Sequence, residues 1–417
     1  MNHLYGASRI VRLVGVLLLP TLIFAQDMKS FTLELALEIA MKESPRIRAA
    51  EKEVSAVRGR GWTMWWLPDP SFGVEYEGIP SGRGLNAFGE RRLTLTQSID
   101  FPTNMLFKKK LADQDVNVFR MQLEQTRLEV AADVKVAYAM LLARRDQFRL
   151  AQENLRLAQE FLDKAQTRYD VGEAPQLEVV RARVAAAQAE NDVDQAQAEL
   201  TSARAALNAL LARPAEAPVN PVDSLAYRPF RYALSELKAR SFEAHPRLRA
   251  AEYQVSMAQQ VRNLAWGSLL PNIELSAFQQ TLEGNPNFYG VQFGLSLPLW
   301  FPFRQRGAIQ EARGWLNASQ WRKQNERHLL DADIESAYSA VLASQQQVER
   351  YIETLLAQAE EVYRIALRSY EEGEVGYLQL LEAQQTLIDV RRGYIDALAA
   401  YQAALAELER ATGIDLD

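Results

Sequence analysis

Cysteine is absent from these 417 residues. That excludes disulfides, Cys-based zinc sites and a lipid anchor on a mature N-terminal Cys. It suits an oxidising compartment without establishing one. Histidine is almost absent, at His3, His245 and His328. No His-Glu-x-x-His pair, phosphate loop, Cys/His cluster or Gly-x-Ser-x-Gly nucleophile turn occurs. The short acidic run Asp331, Asp333 and Glu335 places Asp331 and Glu335 on one helix face. It reads as a solvated or lumen-lining face, not a catalytic pair. The chain is therefore expected not to be an enzyme. Basic residues are not in excess: 47 Lys and Arg stand against 53 Asp and Glu, a net charge of -6. That argues against nucleic acid as a partner. Long apolar runs are also missing. Beyond the N-terminal leader no segment approaches the roughly 20 apolar residues of a membrane-spanning helix, so entry into a membrane requires β-structure.

The leader has its own pattern. Arg9 and Arg12 precede an apolar run from Leu13 to Phe24, and Ala25 offers a small residue at a cleavage point. This is the layout of a secretory signal over residues 1–25. The competing reading, an anchor helix, is weakened by the shortness of the run and by Pro20.

An internal repeat organises the remainder. Ser44-Pro45-Arg46-Ile47-Arg48-Ala49-Ala50-Glu51 recurs as His245-Pro246-Arg247-Leu248-Arg249-Ala250-Ala251-Glu252, an offset of 201. Tyr169-Asp170-Val171-Gly172-Glu173 pairs with Tyr370-Glu371-Glu372-Gly373-Glu374 at the same offset, as Pro70 does with Pro271. The boundaries are a first repeat over 26–212, a Pro-rich linker over 213–229 and a second repeat over 230–417. Each repeat reads as a helix stopped by prolines, a β-hairpin (about 71–101 and about 272–298), and a long helical hairpin with its tip near 170–175 or 371–376.

The long helices carry a coiled-coil period. Leu141, Phe148, Leu155, Leu162 and Tyr169 recur every seven residues, as do Val341, Val348, Leu355, Val362 and Ser369. A helix of about 66 residues would be about 99 Å long. Heptads alone also fit an ordinary antiparallel bundle, but the strands do not. Phe72, Val74 and Tyr76 alternate with Ser71, Gly73 and Glu75; Leu93 and Leu95 with Thr94 and Thr96; Val291, Phe293 and Leu295 with Gln292 and Gly294. Such alternation fits a membrane barrel with lipid outside and water inside. The segment Ile273 to Gln280 alternates less cleanly. Trp62, Trp65, Trp66, Trp266 and Trp300 all fall where helix meets strand, which suits a membrane–water interface; a plugged helix–sheet junction is the other reading. Four strands cannot close a barrel, because the smallest have about eight. The strands must be pooled between chains, and a conduit needs three or more subunits.

The chain resembles the TolC family of outer-membrane efflux proteins over nearly all of its mature length. The marks are the paired tips: Tyr169-Asp170-Val171-Gly172 followed by Glu178-Val179-Val180-Arg181-Ala182, and Tyr370-Glu371-Glu372-Gly373 followed by Gln379-Leu380-Leu381-Glu382-Ala383. The second copy departs, with Gln379 at the acidic position. Leu67-Pro68-Asp69-Pro70 and Gln97-Ser98-Ile99-Asp100-Phe101-Pro102 resemble the CzcC- and CusC-like heavy-metal branch. The resemblance implies a mainly α fold: a helical tunnel on a homotrimeric twelve-stranded β-barrel in outer-membrane lipid. It implies a passive duct for efflux or type I secretion, without cofactor or metal. Its partners would be a periplasmic adaptor (membrane fusion protein) and an inner-membrane pump of RND type. It implies adaptor docking at Tyr169, Gly172, Tyr370 and Gly373, and an acidic aperture at Glu178, Glu382, Asp170 and Glu371. The tyrosines could equally just pack the hairpins, and the acidic residues could just keep the tips soluble. The alternative function is a periplasmic coiled-coil scaffold or adaptor without its own pore.

Overall fold

The computed structural model describes residues 31–282, 285–300 and 303–416. The leader over 1–25 lies outside the described residues. Each half opens on two short helices split at an X-Pro step: α1 (Leu33–Glu43) and α2 (Pro45–Trp65), then α5 (Leu234–Ala244) and α6 (Pro246–Gly267). Ser44 and His245 hold ψ of 123° and 129°, the extended backbone that a following proline imposes. The repeated arginine of that motif is a clamp. Arg46 reaches Glu129 at 2.9 Å and Asp133 at 2.6 Å, and Arg247 reaches Glu326 at 3.1 Å and Asp333 at 2.6 Å.

Four strands form one antiparallel sheet in chain order: β1 (Ser71–Glu77), β2 (Glu90–Ile99), β3 (Asn272–Leu282) and β4 (Asn285–Ser296). Phe72 pairs with Leu95, Leu95 with Ala277, and Ala277 with Val291. Directly opposed residues share a face, so one face of the sheet is mainly apolar, with Arg91, Gln97, Gln279 and Thr281 as its polar members. The other face carries Thr96 and Ser276, whose hydroxyls lie 2.8 Å apart, and Arg92 between Glu75 and Glu90. The weak alternation of β3 has a cause: Phe278 sits on the polar face, laid over the bare backbone of Gly290, and a register shift follows at Gln280/Leu282. Among the described residues β1 and β4 are edges without a further partner strand.

From the sheet run α3 (Pro102–Asp170), which returns as α4 (Gln176–Leu210), and α7 (Arg304–Arg350). After α7 come a single π turn over Tyr351–Leu355, α8 (Leu356–Glu371) and the returning α9 (Tyr377–Thr412). With 69 residues, α3 is about 100 Å long. Among the described residues no helix is long and apolar enough to cross a membrane. Midway along the helices, two equivalent cores form. One gathers Ile47, Val134, Tyr138, Leu141 and Leu207; the other gathers Leu237, Val341, Val348, Tyr401 and Leu408. The Pro-rich stretch between the halves straps both. Pro221 bridges to Phe31, Asp223 accepts from the Tyr138 hydroxyl at 2.7 Å, and the Arg228 carbonyl accepts from the Tyr401 hydroxyl at 2.6 Å.

The repeat offset changes along the long helices. Ala112/Ala312, Val130/Leu330, Val134/Ile334 and Leu141/Val341 correspond at 200, whereas Ala158/Ala359, Val179/Leu380, Ala182/Ala383 and Leu207/Leu408 correspond at 201; all sixteen are buried. The second half therefore holds one extra residue between Val348 and Ala359. The wider winding of Tyr351–Leu355 absorbs it. Gly393 on α9 makes room: a Cβ there would overlap the Tyr351 hydroxyl.

Candidate aperture and membrane junction

Both hairpins turn on a glycine in the left-handed region, Gly172 at φ 81° and Gly373 at φ 77°. No other residue type adopts that backbone as readily. The hydrogen bonds match. Gly172 N donates to Tyr169 O and Glu173 N to Arg168 O; Gly373 N donates to Tyr370 O and Glu374 N to Ser369 O. Such bonds satisfy the last carbonyls of α3 and α8.

The side chains do not match. Tyr370 is 7% exposed and Tyr169 is 40% exposed. Tyr370 packs with Phe161, Ala165, Val179, Tyr377 and Leu380, in a core shared by both hairpins. Its hydroxyl donates to Glu178 Oε1 on α4. Arg168 lies over the Tyr370 ring at 5.3 Å, with its guanidinium 3.8 Å from the same carboxylate. Burial, and then the Glu178 carboxylate, push the Tyr370 hydroxyl up to about 12, against the pull of Arg168. Burial also raises Tyr377.

The sequence-predicted aperture residue Glu178 and docking residue Tyr370 are thus brought together. Asp170, Glu371 and Glu382 are exposed and stand apart from that pair; Asp170 accepts from Gln166 at 2.8 Å. Sequence reasoning missed Arg168, Phe161 and Tyr377. A seven-residue spacing from Tyr370 to Tyr377, on either side of a glycine turn, was the available signal. The acidic run near 331 is tied to cations: Asp331 and Glu335 to Lys238 at 2.9 and 2.6 Å, and Asp333 to Arg247. Among the described residues no group of three or more acidic or histidine side chains could hold a metal ion.

At the other end, the five tryptophans gather where the helices meet the sheet. Trp62, Trp65 and Trp66 stack at the end of α2 with centroids 5.4 to 6.4 Å apart. Trp62 and Trp66 are 59% and 60% exposed, and Trp300, between β4 and α7, is 75% exposed. Lys109 on α3 lies 5.7 Å over Trp65, and Arg313 on α7 lies 5.3 Å over Trp266. The two halves thus repeat one motif, a cation from the long helix over an indole of the short one.

Three comparisons bear on this arrangement. The family described as outer membrane efflux protein matches residues 89–213 and 239–414. The cobalt-zinc-cadmium resistance protein CzcC of Cupriavidus metallidurans is 25% identical over 391 residues, covering 92% of this chain and 90% of its own. The pyoverdine export outer membrane protein OpmQ of Pseudomonas putida is 25% identical over 384 residues, covering 85% and 80%. Among solved structures, CusC superposes with a TM-score of 0.78 at 17% identity, covering 91% of each chain. The outer membrane protein VceC of Vibrio cholerae superposes with a TM-score of 0.75 at 18% identity, covering 92% and 97%.

Proposed function

This chain belongs to the outer membrane efflux protein family, whose members are channels and not enzymes, and we propose that it is the passive exit duct of a tripartite efflux or type I secretion system. The observation that carries this reading is the sheet: four strands, one mainly apolar face, and two unpaired edges at β1 and β4. Unpaired backbone cannot face lipid, so the edges pair with those of neighbouring subunits. Three chains supply twelve strands, enough to leave an open lumen. The long helices then form the tunnel across the periplasm. The glycine tips meet a periplasmic adaptor and, through it, an inner-membrane pump of RND type.

The pump supplies energy and chooses the cargo. Relatives named for cobalt-zinc-cadmium resistance, pyoverdine export and toluene efflux are consistent with one duct design serving unlike cargoes. At the tips, Asp170, Glu371 and Glu382 line a cation-preferring aperture, while Glu178 acts as a tie to Tyr370. The test is detergent extraction followed by light scattering and planar-bilayer recording. A trimer that conducts, prefers cations and loses part of that preference in Glu382→Gln is expected. A monodisperse, non-conducting monomer released in a soluble periplasmic fraction would favour the scaffold reading.

A further inference from the structure

Charge is sorted along the long axis of the chain. The four stretches that flank the strands, residues 54–70, 100–112, 253–271 and 297–310, hold eight Lys or Arg against two acidic residues, Asp69 and Asp100, in a chain of net charge -6. Lys108, Lys109 and Lys110 fall in the early turns of α3, and Arg304 and Arg306 in the first turn of α7. A helix start disfavours cations, because the N-terminal end of its dipole is positive, so Arg304 and Arg306 gain nothing from their own helix. Lys109, Lys110, Arg304 and Arg306 are all exposed. Lys108 is the exception, paired with Asp100.

The same zone carries the exposed Trp62, Trp66 and Trp300 and lies next to the apolar sheet face. Indoles settle at the glycerol level of a bilayer. Long cationic side chains beside them reach outward to the phosphates. We infer that this collar binds the headgroups of anionic glycerophospholipids, of the phosphatidylglycerol class, in the leaflet that faces the periplasm. The argument is charge complementarity: a ring on an acidic protein in which basic residues outnumber acidic ones eight to two, set at the level of the aromatics in both halves. It rests on the membrane-channel reading and adds a lipid preference to it.

The test is native mass spectrometry of the detergent-purified oligomer titrated with phosphatidylglycerol or phosphatidylcholine, beside conductance in vesicles of each lipid. Phosphatidylglycerol should bind more tightly. The double variants Lys109→Gln/Lys110→Gln and Arg304→Gln/Arg306→Gln should each weaken it by about fivefold per cation removed, since a surface cation contributes about 1 kcal/mol. Phosphatidylcholine binding should not change. Arg322→Gln, on an exposed face further along α7, should leave both affinities unchanged. Equal affinity of the native protein for the two lipids would overturn the inference, as would a preference that survives both double variants. Absence of conductance in either vesicle would overturn the channel reading on which it rests.

Discussion

The two hairpin tips share a sequence motif, a turn and a hydrogen-bond pattern, yet their tyrosines meet different fates. Tyr370 is tied to Glu178, and Tyr169 is open to solvent. The residue facing each explains the difference. Shifting the Tyr370–Glu178 contact by the repeat offset of 201 gives Tyr169 and Gln379, and these do not meet within the chain. In a ring of alternating halves, the contact between first and second half recurs between the second half of one subunit and the first of the next. Tyr169 is then an open half-contact awaiting a neighbour. The tie inside a chain is a hydrogen bond to a carboxylate. A tie between chains would join two neutral groups and would be the weaker, by roughly a factor of two. The seams of the aperture are therefore expected to lie between subunits.

The largest test of this comparison removes one residue from each half. Deleting Glu353 from the π turn should let α7 and α8 run on as one α-helix with Ala359 and Tyr370 still in their core positions, because the π turn already absorbs that residue. Deleting the exposed Gln152 from α3 removes a residue that no π turn absorbs, so each residue beyond it would rotate by about 100°. Ala158 and Phe161 would leave their core positions, so a cost on the order of 3–5 kcal/mol is expected at the tip. Rapid tryptic cleavage at Lys164 and Arg168, with the sheet and the mid-helix cores intact, would report it. Equal damage from the two deletions would show that the π turn does not set the phase.

A smaller effect separates the two tyrosines. Tyr370→Phe should weaken the tip by about 1.5–2 kcal/mol, since it takes a donor from a carboxylate. Tyr169→Phe should stay within about 0.5 kcal/mol. The pH dependence has a definite sign. The Tyr370 hydroxyl rises from 10.0 to about 12 on folding. Its contribution is thus fully present below pH 10 and is lost as pH climbs through about 12. Conductance should rise over that window in the native protein, and Tyr370→Phe should abolish that step. An equal response in Tyr169→Phe would remove the distinction.

Gly393→Ala should cost about 1–2 kcal/mol, because the new Cβ collides with the Tyr351 ring. Its counterpart at the same offset, Asp192→Ala on an exposed face of α4, should be near neutral. Combining Gly393→Ala with Tyr351→Phe should recover part of the loss in urea unfolding. Equal effects at 192 and 393 would mean that the π turn needs no room in its partner helix.

These features differ in how far the sequence revealed them. The halves, the glycine turns, the alternating strands and the tryptophan clusters were legible, because each is local or recurs at a fixed offset. The π turn was not: one added residue hides inside a helical pattern, and both heptad rows look regular. The bond from Tyr370 to Glu178 was also hidden. It joins segments 192 residues apart, and Tyr169 offers the same letters. Phe278 obscured β3, since an aromatic on a polar face breaks alternation unless the glycine opposite is known.

The last prediction reads connectivity and not stability, and tests the ring directly. The chain has no cysteine, so introduced thiols react without background. Tyr and Glu side chains that meet at their ends hold their Cα atoms too far apart for a disulfide, which needs about 4.4–6.8 Å. A short bis-maleimide spans the gap. With Tyr370→Cys and Glu178→Cys, the reagent should join two residues of one chain, and the denatured product should keep the mass of a monomer. With Tyr169→Cys and Gln379→Cys, the bridge should run between subunits and yield covalent dimers and trimers. Each single variant should give neither product. A monomer-sized internal bridge in the second pair would place Tyr169 against its own α9. The alternation of the halves around a ring would then fail, even if the oligomer is a trimer.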